Sequence, residues 1–400
     1  MIDFRISEAD EAILQQVVAI GKATEKHARY YEDHEHERPP ERFPESEAFP
    51  PLMQLFMKRK ADDTPVMTLQ MLIAMASGST NGVFGGLGLG GLSFGGGRGF
   101  GLGNAALGAS GTKEQQSRWG DKLLAMSITE PNVGSDTKAI QTTARLDGDE
   151  WVLNGDKIFV TTGIQCDAVV VWATIDKSAG RAGIKSFIVE KGTPGFEVVR
   201  QEKKLGIRLS DTAAFAFRDC RIPRDHLLGG DESVKPDKGS GGYKGVMRTF
   251  NMTRPAVAAG GVAKAIGAFN FARDALKEEG IEVDWDKSFH ERSAAEQKLI
   301  EMEADAEAAA LSVLYAAWLG DTGQPNNLES SVCKAKGGEV CRTVPQRAME
   351  LLGGMSISHD HLVEKYLRDG RISDIDEGTG QIQRLIIARG ILNYSSEELT

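Results

Sequence analysis

The chain of 400 residues has few of the residues that hold small or exotic folds together. Its four cysteines, Cys166, Cys220, Cys333 and Cys341, form no C-x-x-C pair and sit near no His/Cys cluster at zinc spacing. A disulfide scaffold and a zinc module are therefore excluded, and reduced thiols are expected. Excess positive charge is also lacking, because 47 Lys+Arg against 57 Asp+Glu leave a formal charge of -10. That balance repels a polyanion, so nucleic acid is not an expected partner. The first residues, Met1-Ile2-Asp3-Phe4-Arg5, have neither a basic n-region nor an apolar h-region. With the reduced thiols, this leads us to expect a cytoplasmic protein. A long apolar run is the last absence. Arg98 is the only charge between Thr64 and Thr112, but Gly78 to Gly111 holds about a third of the chain's 46 glycines, which carry little apolar transfer energy. No membrane span is expected.

What is present is an ordinary globular composition, 41% hydrophobic and 26% charged, enough to bury a sizeable core and to exclude global disorder. The length corresponds to two or three domains or one enzyme-sized unit. Helical periodicity opens the chain: Glu8 to His27 carries Ile13, Leu14, Val17, Val18 and Ala23, and Leu52 to Lys60 follows Pro50-Pro51. The character changes after Thr129. Glu150 to Thr162 gives two strand-like runs joined by Asn154-Gly155, the dipeptide favoured in type I′ hairpins. Further strands are expected at Ala168 to Ile175, Ser186 to Glu190, Phe196 to Val199 and Ala213 to Phe217, ending near Pro223. Helices then return, with Pro255 suited to a first helical turn and a run to Glu279. Ala294 to Leu319 places Leu299, Met302, Ala306, Ala309 and Val313 on one stripe, and Ser331 to Leu352 is a second amphipathic run. Strands and helices do not alternate, so the class is α+β, with expected domains at 1–125, 126–235 and 236–400.

Four segments carry candidate chemistry. Gly86-x-Gly88-x-x-Gly91 matches a dinucleotide-binding pattern, but no strand precedes it, and close helix packing or a loop is the better reading. Ser127-Ile-Thr129-Glu130-Pro131, running on to Gly134-Ser135-Asp136, offers backbone N–H groups and hydroxyls to an acceptor-rich ligand, or is a cap followed by a turn. Arg368 to Arg384, through Asp376-Glu377-Gly378-Thr379, is a solvated capping loop or places a base beside two glycines. Thr253-Arg254-Pro255 offers a surface ion pair or a fixed positive group for an anionic substrate.

In their order these segments closely resemble the acyl-CoA dehydrogenase family over almost the whole chain. The likeness takes in Thr129-Glu130-Pro131 with Gly134-Ser135-Asp136, Leu153-Asn154-Gly155-x-Lys157, and Phe187-x-Val189-Glu190-Lys191-Gly192-x-Pro194-Gly195-Phe196. It continues through Lys204-Leu205-Gly206-Ile207-Arg208, Arg221-Ile222-Pro223, Thr253-Arg254-Pro255, Gly353-Gly354 and Glu377-Gly378-Thr379-x-Gln381-Ile382. The resemblance implies an N-terminal helical domain, a middle β domain and a C-terminal four-helix bundle, assembled as a homotetramer of two dimers. It implies FAD, contacted by Ile128, Thr129, Ser135, Phe159, Thr161, Thr379 and Gln381, with Phe289, Gln297, Glu350, Gly353 and Gly354 toward its adenine end. It implies an acyl-CoA substrate near Ser135, Thr253, Arg254 and Gly378, dehydrogenated to a trans-2-enoyl-CoA, and an electron-transferring flavoprotein as electron acceptor. Of the family's two homes for the catalytic base, Thr253 cannot serve, so the resemblance assigns the role to Glu377. A thioester α-proton requires a desolvated base and a stabilised enolate, so burial against flavin and acyl chain should raise the proton affinity of Glu377.

Several positions depart from the family pattern. Asp286-Lys287-Ser288-Phe289-His290 stands where an R-x-x-F-G segment is usual, Glu350 where glutamine is usual, and Ser356 where glycine is usual. The acidic replacements imply either a rearranged adenine end, with Lys287, Arg292 or a shift of the helix compensating, or weak FAD retention at that end. Asp376 replaces an aromatic or small residue before Glu377, which would raise the proton affinity of Glu377 or suit a polar or bulky acyl group. The Gly-rich segment before Gly111-Thr112 is longer than usual and is expected either to reshape the acyl pocket or to form a surface loop. Two other readings compete with a dehydrogenase: an oxidase passing electrons to oxygen, and a non-catalytic CoA-binding partner subunit of an active homologue.

Overall fold

The computed structural model describes residues 6–34, 66–80, 101–234 and 242–394. The expected helix at Leu52 to Lys60, the Gly86-x-Gly88-x-x-Gly91 pattern and most of the Gly-rich segment lie outside the described residues. By packing, the chain divides into two units, one of residues 89–203 and 210–253, the other of residues 1–88, 204–209 and 254–400.

The first unit is built on a seven-stranded sheet ordered β1-β4-β2-β3-β7-β6, with β5 paired to β4. Its strands are β1 Leu124–Ser127, β2 Thr143–Asp147, β3 Glu150–Thr161, β4 Ala168–Thr174, β5 Ile184–Glu190, β6 Phe196–Gln201 and β7 Thr212–Pro223. Four follow the expected runs, and β7 extends well past Phe217. Every residue of β4 is buried, because both faces of the strand are covered. Val169, Val171 and Ala173 join Leu153, Phe187, Phe215 and Phe217 on one face. Ala168, Val170 and Trp172 meet Ile188, Ala106, Leu107 and Trp119 on the other. The last three of these come from helices α4 Leu102–Ser110 and α5 Lys113–Trp119. Strands β1 and β2 escaped the sequence reading because each is too short, four and five residues, to establish an alternation.

The hairpin expected at Asn154-Gly155 is absent. Strand β3 runs through that dipeptide against β7, and the register shifts between Leu153 and Gly155. Gly155, at φ 154°, lies so close to Thr142 that a side chain would collide, so its glycine serves a bulge rather than a turn. The reversal falls earlier, at Gly148-Asp149, where Asp147 pairs with Glu150 and Gly148 has φ 65°.

The second unit is helical. Its elements are α1 Glu8–Ala23, α2 Glu25–Asp33, α3 Val66–Gly78, the part of α6 Gly242–Glu278 from Arg254 onward, α7 Ala294–Asp321, α8 Asn327–Leu352, α9 Val363–Gly370 and α10 Gly380–Leu392. The helix expected to reach His27 ends at Ala23, where the Thr24 hydroxyl donates to the Ile20 and Gly21 carbonyls and a second helix begins. The stripe Leu299, Met302, Ala306, Ala309 and Val313 is buried against Ala258, Val262 and Ala265 of α6 and Val340, Val344 and Ala348 of α8. Pro255 is not in a first turn, since α6 starts at Gly242 and runs through it. A proline there removes one backbone hydrogen bond at about 3 kcal/mol. Burial of the neighbouring Val257, Ala258 and Ala259 opposes that loss. Among the described residues no helix is long and apolar enough to cross a membrane, and no His/Cys/Asp/Glu group is arranged to hold a metal ion.

Candidate active site

In the sheet unit, the segment after β1 is fixed by a buried ion pair. Lys157 is wholly buried, and its Nζ donates to the Ile128 carbonyl at 2.8 Å and to Glu130 Oε1 at 2.9 Å. Glu130 also accepts from the backbone N–H groups of Gln141 (2.7 Å) and Thr142 (2.9 Å). Burial works against the charge of Glu130, but Lys157 and these donors hold its carboxyl below the usual range. Burial likewise pulls Lys157 down to about 8 against the pull of Glu130. The Ile158 N–H donates to the Thr129 carbonyl at 3.0 Å, so Ile128, Thr129 and the Phe159 region of β3 form one rim. Phe159 combines a left-handed backbone, φ 55°, with a side chain 57% exposed. Backbone strain of this kind clusters at ligand-binding and reacting sites. Thr161 is half-buried on the same strand and Ser135 is exposed on the loop beyond Gly134. The Ser127 hydroxyl is buried without a hydrogen-bond partner among the described residues. That orphan group and the outward Phe159 fit a polar, planar ligand lying on this rim.

In the helical unit, the Glu377-Gly378-Thr379 turn is held from below. Glu377 has φ 48° and Gly378 φ 95°, two successive positive values that a side chain at 378 would not allow, because it would meet the Gln383 amide. The fully buried Gln383 donates from Nε2 to the carbonyls of Glu377 (3.2 Å) and Gly378 (3.0 Å). Lys334, also fully buried, donates to Ser373 O at 2.6 Å and Gly378 O at 3.3 Å. Thr379 caps α10 by accepting from the Ile382 N–H at 3.3 Å, and Gln381 is exposed in its first turn. Asp376 has a buried Oδ1 with no hydrogen-bond partner among the described residues, 3.9 Å from Lys334 Nζ. Burial, only partly offset by Lys334, pushes its carboxyl up to about 6. Arg254 is buried at the start of this unit's share of α6, and Thr253, the residue before it, is buried too and groups with the sheet unit.

The remaining expected residues gather elsewhere in the same unit. Lys334 and Glu350 lie on one helix, about 24 Å apart at 1.5 Å per residue, so the 350–354 segment is not brought to the Glu377 turn. Lys298 pairs with Glu350 at 2.8 Å and draws its carboxyl below the usual range, which brings Gln297 to the same end. Gln297 donates to the Arg292 carbonyl at 2.9 Å, and Phe289 is half-buried in the preceding turn. The compensating charges anticipated for Asp286 are already engaged: Lys287 pairs with Asp284 at 3.0 Å, and Arg292 donates to the Asp284 carbonyl and lies over Trp285. Gly353 has φ 54° and nothing near a would-be Cβ, as is also true of Gly354, while Ser356 donates to the Gly353 carbonyl at 2.7 Å. Lys334 and Gln383 were missed by sequence reasoning. A buried lysine and a buried glutamine inside amphipathic helices carry no signal of what their side chains support.

Comparison with known proteins follows the same division. Residues 125–220 match the acyl-CoA dehydrogenase middle domain, and residues 240–392 match the acyl-CoA dehydrogenase C-terminal domain. The chain is 36% identical to the mitochondrial short-chain specific acyl-CoA dehydrogenase of Bos taurus over 288 residues, 70% of this chain and 67% of that one. It is similar to butyryl-CoA dehydrogenase from Megasphaera elsdenii, at TM-score 0.79 and 27% identity over 98% of this chain and 100% of the other. A structure described as the electron transferring flavoprotein of Acidaminococcus fermentans matches at TM-score 0.76 and 27% identity, covering 98% and 100%. With both domain models matched and a relative of this identity covered over two thirds of its length, the chain belongs to the acyl-CoA dehydrogenase family of FAD-dependent oxidoreductases.

Proposed function

We propose that this enzyme oxidises a short-chain acyl-CoA thioester to its trans-2-enoyl-CoA, with Glu377 as the base, and passes the electrons to an electron-transferring flavoprotein. The observation that carries the reading is the Glu377-Gly378-Thr379 turn, whose carboxylate stands on left-handed backbone braced by Lys334 and Gln383. Strain of this kind persists where the surrounding structure over-determines it, and it clusters at reacting groups. The names of the short-chain relatives support the chain length, and the likeness to the flavoprotein structure supports the electron acceptor.

The carboxylate of Glu377 takes the α-proton while its backbone N–H donates to the thioester oxygen, a contact worth about 3 to 4 kcal/mol by analogy with other oxyanion sites. Bound FAD supplies an acceptor for the hydride leaving the β-carbon, so proton and hydride together balance the two hydrogens lost. On the sheet unit, Ile128, Thr129, Ser135, Phe159 and Thr161 would contact FAD, and on the helical unit Thr379 and Gln381 would do so. Phe289, Gln297, Glu350, Gly353 and Gly354 would hold the adenine end, with Lys298 paired to Glu350. Arg254, with Ser135, Thr253 and Gly378, positions the CoA thioester. The enzyme works as a homotetramer.

The test is Glu377→Gln in the FAD-loaded protein. The variant keeps its flavin spectrum and binds butyryl-CoA, yet the ester no longer bleaches the flavin under anaerobic conditions. Bleaching at the wild-type rate moves the base to another residue.

A further inference from the structure

The residue before the base is an aspartate, and its surroundings are specific. Its N–H donates to the Ile372 carbonyl at 3.0 Å, which fixes the backbone. One carboxylate oxygen, Oδ1, is buried with no hydrogen bond among the described residues, whereas the side chain as a whole is 33% exposed. A carboxylate oxygen shut away in this manner is costly unless a charge or a proton compensates. The cation facing it from α8 is Lys334, and at 3.9 Å this is too far for a hydrogen bond. Lys334 already donates to the Ser373 and Gly378 carbonyls. The other charges around the turn are committed. Asp374 accepts from Arg371 at 3.2 Å and lies 3.9 Å from Arg342, and Arg384 of α10 lies 3.7 Å from Glu339. The nearby Cys341 thiol is pushed up to about 12 by burial and stays neutral. Among the described residues, the fully buried Lys334 is the cation that an ion-pair distance places against Asp376, and Glu377, next in the chain, is the neighbouring carboxylate.

Resting on the assignment of Glu377 as base, we propose that Asp376 is a positioning residue: its carboxylate, held against Lys334, is coupled to Glu377 so that the charge on Asp376 sets the proton affinity of the base. An ionised Asp376 makes a second negative charge on Glu377 harder to place, which strengthens the base. The two carboxyl groups then titrate as a pair with two macroscopic steps. Burial raises the Asp376 carboxyl and Lys334 opposes that rise.

The experiment is the pH dependence of anaerobic flavin bleaching by butyryl-CoA, followed by stopped flow from pH 5 to pH 9 in the FAD-loaded enzyme. In Asp376→Asn the acid limb moves about one pH unit lower, because Glu377 gives up its proton more readily once its neighbour is neutral, and the plateau rate falls. Asp376→Glu returns the limb toward its wild-type position. A limb that stays in place in Asp376→Asn overturns the proposal. Should that variant fail to fold, the wild-type limb decides: two ionisations support the coupled pair, and a single one overturns it. Glu377→Gln separates the two readings. Loss of bleaching there with an unmoved limb in Asp376→Asn leaves Glu377 as the base and removes only the coupling.

Discussion

At the scale of single residues, the chain relies on ammonium groups buried under the segments that carry its chemistry. Lys157 is the clearest, since it supports both the Ile128 carbonyl and the Glu130 carboxylate. Replacing it with methionine removes one half of a buried pair and leaves Glu130 dehydrated, at about 3 to 5 kcal/mol. Lys157→Met should therefore lower the thermal midpoint of the protein and release flavin at lower temperature than the wild type, as measured by circular dichroism and flavin fluorescence. Lys157→Met with Glu130→Leu should recover part of the midpoint, because an apolar pair leaves no charge stranded. Sequence made Lys157 visible only as a motif position. That it is buried depends on β3 passing beside Ile128 and Glu130, a pairing of residues 27 apart that no local pattern encodes.

At the scale of elements, periodicity located most of the longer helices and strands. The stripe from Leu299 to Val313 emerged buried, and β4 to β7 fell on the expected runs. Asn154-Gly155 misled because its turn preference is local, while the continued pairing of β3 with β7 gains hydrogen bonds on both sides of the bulge. Pro255 misled for a similar reason, tertiary packing outweighing the lost helical bond. Helix starts are more self-contained. At α7, Ser293 accepts from the Glu296 N–H at 3.2 Å, and Glu296 accepts from the N–H groups of Ser293 (2.8 Å) and Asp284 (2.9 Å). These donors bring the Glu296 carboxyl down from 4.5 to about 2. Its contribution is in full force above pH 4.5 and disappears as the pH falls toward 2. In Glu296→Gln the thermal midpoint should be lower than in the wild type at pH 6, and the gap should close as the pH is taken below 4.5; a constant gap would show that the ionised carboxylate is not what matters.

At the scale of the whole molecule, order along the chain revealed more than any single segment. The family could be named from the series of motifs, and Glu377 was singled out because threonine stands at the alternative position. The braces under the turn stayed hidden, since Lys334 is 43 residues away and is identified by folding alone. The helical unit also leaves apolar side chains on its outside: on α10, Leu385 is 45% exposed, and at its end Ile391 and Leu392 are 68% and 52% exposed. Surfaces of this kind are commonly covered by another copy of the chain. Light scattering should then give four times the 43.2 kDa chain mass, and Leu385→Lys with Ile391→Lys should reduce it; an unaltered mass would locate the contact on another face.

The loop between β6 and β7 bears on how such a protein can be taken apart. Residues 204–209 interrupt the sheet unit yet pack with the helices, where Asp369, paired with Lys365, accepts from the Ile207 N–H at 2.6 Å. The helical unit is thus threaded from three stretches of chain. A gene fragment beginning at residue 254 would express a bundle whose buried Asp369 lacks one of its donors, and a fragment ending before residue 204 would leave β7 behind. Neither unit is a cassette that could be exchanged between relatives by a single crossover, because each is made from separated stretches of the chain.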